Sequence, residues 1–275
     1  MSLLRFNFQS DCLGNNTEVS VILPDKRPGQ EPKDFYGSGK KYKVLWLLHG
    51  TFGDHTDWLR KSNIELYASE RDLAVVMPSG MNSNYVNWPS FATGYRAWDF
   101  LFDELMPLIY GWLPISDKRE DNFIAGLSMG GNGAMQYAVG HPEKFAGAAS
   151  LSNAPSDLRQ MKAAGYDGNA EGEAVKLFNK RVQNAVDNFG GLENYVNSVV
   201  NVWDKLPGLI KDGNLPKLYF CCGMEDKLIW NKYVQFKAYA EKIGLPAAFE
   251  EFEGYTHEWR FWDLTIQRAL DYFGI

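Results

Sequence analysis

The chain is poor in the residues that build disulfide scaffolds and metal sites. It has three cysteines, Cys12, Cys221 and Cys222, and four histidines among 275 residues. An odd cysteine count with two adjacent members argues against a disulfide framework. No CxxC, HExxH or clustered His/Asp set occurs, so no metal site is expected. Positive charge is also in deficit: the formal net charge is −6 and the pI near 5.3. That balance argues against nucleic acid or an anionic membrane as a partner. No apolar run approaches the ~20 residues of a membrane span. The opening residues, MSLLRFNFQSDCLG, alternate instead of running apolar, so they read as a strand and not as a signal peptide. The glycine-rich turn at 126–131 lacks the lysine of a P-loop. Repeats, low-complexity tracts and interdomain linkers are missing too. The expectation is one cytoplasmic domain, residues 1–275, that needs no cofactor.

What is present is an alternation of strands and helices. Hydrophobic residues make up 45% of the chain, enough for a sizeable core. Residues 3–8 and 18–23 alternate and predict two strands joined by the turn Gly14-Asn15-Asn16. Fully apolar runs at 44–48 and 73–77 have the composition of strands buried on both faces of a parallel sheet. Further strands are expected at 123–125, 146–151, 218–222 and 249–252. Helical spacing covers 57–70, 95–110, 129–139, 232–243 and 258–273. The pattern predicts an α/β fold: a mostly parallel central sheet of about eight strands with helices on both faces and an antiparallel edge.

Between Asn153 and Pro216 this rhythm stops. One apolar stripe there comprises Val175, Phe178, Val182, Val186 and Phe189. A second comprises Leu192, Tyr195, Val196, Val199, Val200 and Trp203. Residues 154–216 therefore read as a helical cap inserted over the strand ends, with an ordinary crossover as the plainer alternative. The stripes face either a site or a partner subunit, which leaves a homo-oligomer open.

The most informative stretch is DNFIAGLSMGGNGA, residues 121–134. Gly126-Leu127-Ser128-Met129-Gly130 has the G-x-S-x-G form of a nucleophile elbow, placed after a strand and before a helix. At so tight a turn, side chains two residues to either side of Ser128 would collide, and glycine removes them. A serine hydroxyl needs a base, and the base an orienting acid. His257, in the loop GYTHEW after the last strand, is the base by chain order. Against it, a loop histidine packed on Trp259 is the bland reading. His49 is expected to shape a loop, His55 to lie at the surface or cap a helix, and His141 to be structural. For the acid, Glu225 and Asp226 compete after the strand at 218–222, with Asp226 favoured. Asp157 and Asp263 are weaker.

Attack on a carbonyl builds charge on oxygen, which preorganised N–H groups stabilise. Met129, following the serine at a helix start, is one expected donor. The other comes from the loop His49-Gly50-Thr51-Phe52-Gly53-Asp54, with Thr51 the first choice and Phe52 the second. Among the aromatics, Trp98 and Trp262 read as core. Trp88, in the polar loop NYVNWPS, and Phe52 are candidates for touching substrate. Cys221 and Cys222 should point to opposite sheet faces as small buried hydrophobes.

The segments LLHGTFGDHTDW, PSGMNSNY, GLSMGGNGAM, CGMEDKL and GYTHEWRFWD occur in the order found in the esterase D-like branch of α/β-hydrolases, which the chain resembles over most of its length. The likeness is greatest to tributyrin-esterase-like carboxylesterases; feruloyl and acetyl-xylan esterases, S-formylglutathione hydrolases and mycolyltransferases are related. This resemblance implies the α/β-hydrolase fold, with Ser128 as nucleophile, Asp226 as acid and His257 as base. It also implies backbone donors at Thr51 and Met129. The chain departs from its relatives at Lys227-Leu228, where an aromatic is frequent, and in the inserted region. The implied function is a serine carboxylesterase acting on short-chain, aryl or sugar acyl esters. An acyltransferase, an S-formylglutathione-type thioesterase and a non-catalytic binding protein are the other readings. A cysteine is missing from the HGTFGD loop, which weighs against the thioesterase.

Overall fold

The computed structural model describes residues 1–160 and 173–275, with side chains in the second stretch described from residue 180. Eight strands form one sheet: β1 (Ser2–Ser10), β2 (Asn15–Leu23), β3 (Val44–Leu48), β4 (Ala74–Pro78), β7 (Asn122–Leu127), β8 (Gly147–Leu151), β9 (Lys217–Gly223) and β10 (Ala247–Phe252). A separate ribbon pairs β5 (Asn87–Trp88) with β6 (Tyr95–Arg96). The sheet order is β1-β2-β4-β3-β7-β8-β9-β10. β1 and β2 pair antiparallel, and β2 meets β4 antiparallel; every later pairing is parallel. The expected edge hairpin and parallel centre are both present.

The apolar runs form strands because both sheet faces are covered. On β3, Val44, Trp46 and Leu48 enter one core, while Leu45 and Leu47 enter the other. The first core is closed by Tyr137 and Ala138 of helix Met129–Gly140, by Leu105 and Ile109, and by Tyr233 and Phe236 of helix Trp230–Lys242. The second is closed by Trp58, Ile64 and Tyr67, and by Phe261, Ile266 and Phe273 of helix Trp259–Phe273. Cys222 lies in the first core and Cys221 in the second, on opposite faces as expected. Burial pushes the Cys221 thiol up to about 12, which keeps it protonated and inert.

Three helices differ from the periodicity. The segment 57–70 is two helices, Asp57–Lys61 and Ile64–Glu70, because Ser62 is extended. The helix expected at 95–110 begins at Ala97, after the β6 residues. It widens to π geometry over Phe100–Leu105 before continuing as Met106–Trp112. Pro107 explains the widening, since in α geometry its ring crowds the carbonyl four residues back. The second inserted stripe is also divided, into Leu192–Val196 and Val202–Asp212. Asn201 divides it. Its side chain accepts the Asp204 N–H and donates to the Val196 carbonyl at 2.8 Å. Inside the second piece, Pro207 cannot donate to the carbonyl of Trp203, and the Tyr239 hydroxyl donates to it instead at 3.2 Å.

Helix Glu173–Asn188 carries the first stripe. The side chains of Val175 and Phe178 lie outside the described residues, and Val186 is buried. The proposed cap, 154–216, includes residues 161–172, which also lie outside them.

Candidate active site

The parallel strands carry their C-terminal ends to one edge of the sheet, and the candidate site residues follow those ends. Ser128 comes directly after β7 and holds φ 51° and ψ −116°. A positive φ is costly for a residue with a side chain, of order 1–3 kcal/mol, so the surroundings must enforce it. They do so from several sides. The Ser128 N–H donates to the Leu151 carbonyl at 2.8 Å. Its carbonyl accepts from Asn153 Nδ2 at 2.6 Å and from the Asn132 N–H at 3.1 Å. A methyl on Gly126 would collide with the backbone of Gly130. One on Gly130 would stand 2.6 Å from the carbonyl oxygens of both Leu48 and His49. These two glycines therefore permit the turn and its seat against β3. Met129 opens the following helix, so its N–H is among those with no intrahelical acceptor.

Asp226 and His257 meet. After β9 the chain turns with the Asp226 N–H on the Gly223 carbonyl, 3.1 Å. The Asp226 side chain is fully buried, and its Oδ2 lies 2.7 Å from His257 Nδ1. Its Oδ1 accepts the N–H groups of Leu228 and Ile229 at 3.1 and 3.2 Å. The carboxylate thus has three donors, and Nδ1 of the imidazole, carrying the proton, is one of them. That leaves Nε2 as an acceptor. Glu225, its competitor, is exposed. Of the weaker candidates, Asp263 accepts from Asn63 and Tyr67, and Asp157 accepts the N–H groups of Arg159 and Gln160.

The ring against His257 is Trp262, edge-on at 5.0 Å, and not the Trp259 of the plainer alternative. Trp259 instead stacks edge-on with Trp58 at 5.2 Å and lies under the Lys61 amine. Trp262 is buried in the core, as its spacing suggested, and its Nε1 donates to Ser152 Oγ at 2.9 Å.

The loop after β3 is anchored by its own polar groups. His49 Nδ1 donates to the Gly50 carbonyl at 2.6 Å, and its Nε2 accepts the Gly80 N–H at 2.8 Å. Both ring nitrogens are used, and burial lowers the basicity of the ring. His49 shapes this loop, as its position predicted. Phe52 has φ 64°, is 81% exposed and donates its N–H to Asn82 Oδ1 at 2.8 Å. The Arg181 guanidinium lies 5.3 Å above the Phe52 ring. Asn188, on the same helix, donates to the Asn87 carbonyl at 2.7 Å. Trp88, next along, is half-buried and donates to the Ser83 carbonyl at 2.8 Å.

The other two histidines lie apart from this pair. His55 corrects the expectation of a surface or capping position. It is 6% exposed, with Nδ1 2.7 Å from Ser20 Oγ and Nε2 3.3 Å from Glu18. Periodicity could not reveal this, because the partners come from β2. His141 packs on Phe102 at 4.3 Å and is structural as expected. Among the described residues, no three His, Cys, Asp or Glu side chains converge as a metal site.

Sequence reasoning missed Asn82, Ser152, Asn153 and Lys232. Lys232 Nζ donates to Asn153 Oδ1 at 2.8 Å. The available signal was its place on the apolar stripe that runs through Ile229, Phe236 and Ala240.

Residues 10–273 match the model of the Esterase family, described as "Putative esterase". The chain belongs to this esterase family. The esterase is 30% identical to an acetyl esterase of Caldicellulosiruptor saccharolyticus over 99% of its own length and 98% of that protein's. It resembles the S-formylglutathione hydrolase FrmB of Staphylococcus aureus, with TM-score 0.76 and 29% identity over 99% and 98% of the two chains. A fluorophosphonate-binding serine hydrolase of the same organism gives TM-score 0.77 at 28% identity, with coverage of 99% and 98%. The esterase has the α/β-hydrolase fold and is a carboxylic ester hydrolase. No helix among its described residues is long and apolar enough to cross a membrane.

Proposed function

We propose that the esterase is a serine carboxylesterase in which Ser128 is the nucleophile, His257 the base and Asp226 the acid. The observation that carries this reading is the 2.7 Å contact of His257 Nδ1 with the buried Asp226 carboxylate. The contact leaves Nε2 as the proton acceptor, in a chain that also holds an elbow serine at positive φ. Ser128 Oγ attacks the ester carbonyl carbon while its proton passes to His257 Nε2. The oxyanion is held by the N–H groups of Thr51 and Met129. Thr51 is preferred over Phe52 because the Phe52 N–H is engaged by Asn82. The tetrahedral intermediate then expels the alcohol, which takes the proton from His257 and leaves an acyl-Ser128. Water attacks that ester, giving its proton to His257, and the carboxylic acid departs as Ser128 regains its hydrogen.

The substrate in this proposal is a small short-chain, aryl or sugar acyl ester. Phe52 and Trp88 contact it, and the inserted region 154–216 forms a cap over the pocket. Supporting the cap are the contacts of Arg181 with Phe52 and of Asn188 with Asn87. They tie helix Glu173–Asn188 to the loop after β3 and to the β5 ribbon. A cytoplasmic setting belongs to the proposal and fits three buried free cysteines.

The likeness to S-formylglutathione hydrolase FrmB favours one alternative, hydrolysis of a thioester by the same groups. Rates for p-nitrophenyl esters from acetyl to long-chain acyl, beside S-formylglutathione, separate the two. Product analysis with a competing alcohol detects acyl transfer. The carboxylesterase reading predicts short-chain esters as the fastest substrates and acid as the main product. S-formylglutathione turned over far faster than any ester would move the assignment to a thioesterase.

A further inference from the structure

The most densely bonded polar cluster beside the elbow is one the mechanism above does not use. Asn153 lies two residues past β8, and Lys232 projects from the helix Trp230–Lys242. Asn153 Oδ1 accepts from the Ala154 N–H at 2.7 Å and from Lys232 Nζ at 2.8 Å. Its Nδ2 donates to the Ser128 carbonyl at 2.6 Å. The Asn153 backbone carbonyl accepts from Ser150 Oγ at 3.0 Å. Two donors on one side of the amide and one acceptor on the other fix which way it faces. Were the amide to flip, its nitrogen would confront Lys232 and its oxygen would confront the Ser128 carbonyl.

We propose that Asn153 and Lys232 act together as a positioning pair, with Lys232 fixing the Asn153 amide so that it holds the strained Ser128 peptide in its attacking geometry. This inference rests on Ser128 being the nucleophile.

Two arguments support it. First, the Ser128 peptide has no conformational reason to stay at positive φ, so each bond to it bears on where Oγ points. The Leu151 carbonyl restrains its N–H, and Asn153 restrains its carbonyl from the same side. Second, Lys232 is an uneconomical way to gain stability. Its side chain is half-buried with the amine on Asn153, and desolvation lowers its pKa to about 8. An apolar side chain on this stripe would avoid that cost, so retention of the amine points to a role beyond packing. Lys232 bonds to Asn153 and reaches Ser128 only through it. It is a positioning residue.

The test is the rate at which a fluorophosphonate probe phosphonylates Ser128, with Oγ attacking phosphorus and fluoride leaving, together with kcat and KM for a p-nitrophenyl ester. Wild type, Lys232→Met, Asn153→Ala and the double variant are compared. Each single variant is expected to slow phosphonylation and kcat by about 10- to 100-fold with KM within about twofold. The double variant should be no slower than the slower single one, because the two residues act as one unit. Lys232→Met should also melt no lower than wild type, whereas a lysine kept for stability would give the reverse. Phosphonylation of Lys232→Met at the wild-type rate would overturn the pairing, and so would multiplying effects in the double variant. Should Asn153→Ala fail to fold, the Lys232→Met rate still decides. Peptide mapping of the labelled wild type separates the two levels of the account. A probe found elsewhere than on Ser128 sinks the nucleophile assignment and the pairing with it.

Discussion

His257 and Trp262 meet edge to face, with ring centroids 5.0 Å apart and planes at 86°. The tryptophan is itself tied to the strand next to the elbow through its bond to Ser152. The Ser152 N–H donates to the Cys221 carbonyl, and the Ser128 N–H donates to the Leu151 carbonyl one residue earlier. The imidazole and the elbow are thus referenced to adjacent residues at the end of β8, Ser152 and Leu151. Trp262→Phe keeps an aromatic ring but removes the indole donor. It is expected to cost about 1 kcal/mol of stability and to lower kcat several-fold. Urea unfolding and steady-state kinetics read the two effects, and an unchanged kcat would show that the ring does not orient His257.

Asp226 is the next link. Asp226→Asn preserves size and can still accept the N–H groups of Leu228 and Ile229. Its amide would no longer select the Nδ1-protonated imidazole. With the wrong tautomer favoured, kcat should fall about 10³- to 10⁴-fold at nearly native stability. A loss below tenfold would assign the acid elsewhere.

At its strained point, Phe52, the loop after β3 is bonded to Asn82. Removing that acceptor in Asn82→Ala frees the Phe52 N–H and lets the loop leave φ 64°. If Thr51 is the oxyanion donor proposed above, its N–H then loses its aim, and about a tenfold or greater drop in kcat is expected, with KM little changed. If KM rises while kcat stays constant, the loop binds substrate without serving the oxyanion.

Lys232 gives a pH signature in stability. With its pKa near 8 in the folded chain and 10.5 ordinarily, both states are protonated below pH 8, where folding bears the cost of a partly desolvated ammonium. Between these values the unfolded chain binds more protons, so this group's contribution rises with pH. The stability of wild type minus that of Lys232→Met should therefore increase from pH 7.5 to 10. A flat difference in paired melts would show the amine to be solvated.

Much of this was legible in the sequence where local rules coincide with tertiary ones. The run Val44–Leu48 is a strand of those bounds because a chain buried on both faces needs no alternation. Ser128 stands out because Gly126 and Gly130 are dictated by the turn itself. The divided helices were not legible, since their apolar spacing continues through Ser62 and through Val199 and Val200. What divides them is local: the extended backbone of Ser62 and the side-chain bonds of Asn201. Asn153, Lys232 and Asn82 were hidden for another reason. Each is an ordinary surface residue type, and only the order of strands β7, β8 and β9 brings the first two to the elbow. His55 was misread in the same way, its partners being 35 and 37 positions earlier.

The central claim, that Ser128 forms the acyl-enzyme, is tested most directly by hydrolysis of p-nitrophenyl acetate in wild type and Ser128→Ala at matched folding. The account predicts that the mutant retains its fold and melting temperature while turnover falls to the background left by the remaining groups, at least ~10³-fold below wild type. Turnover within tenfold of wild type in a folded Ser128→Ala would contradict it.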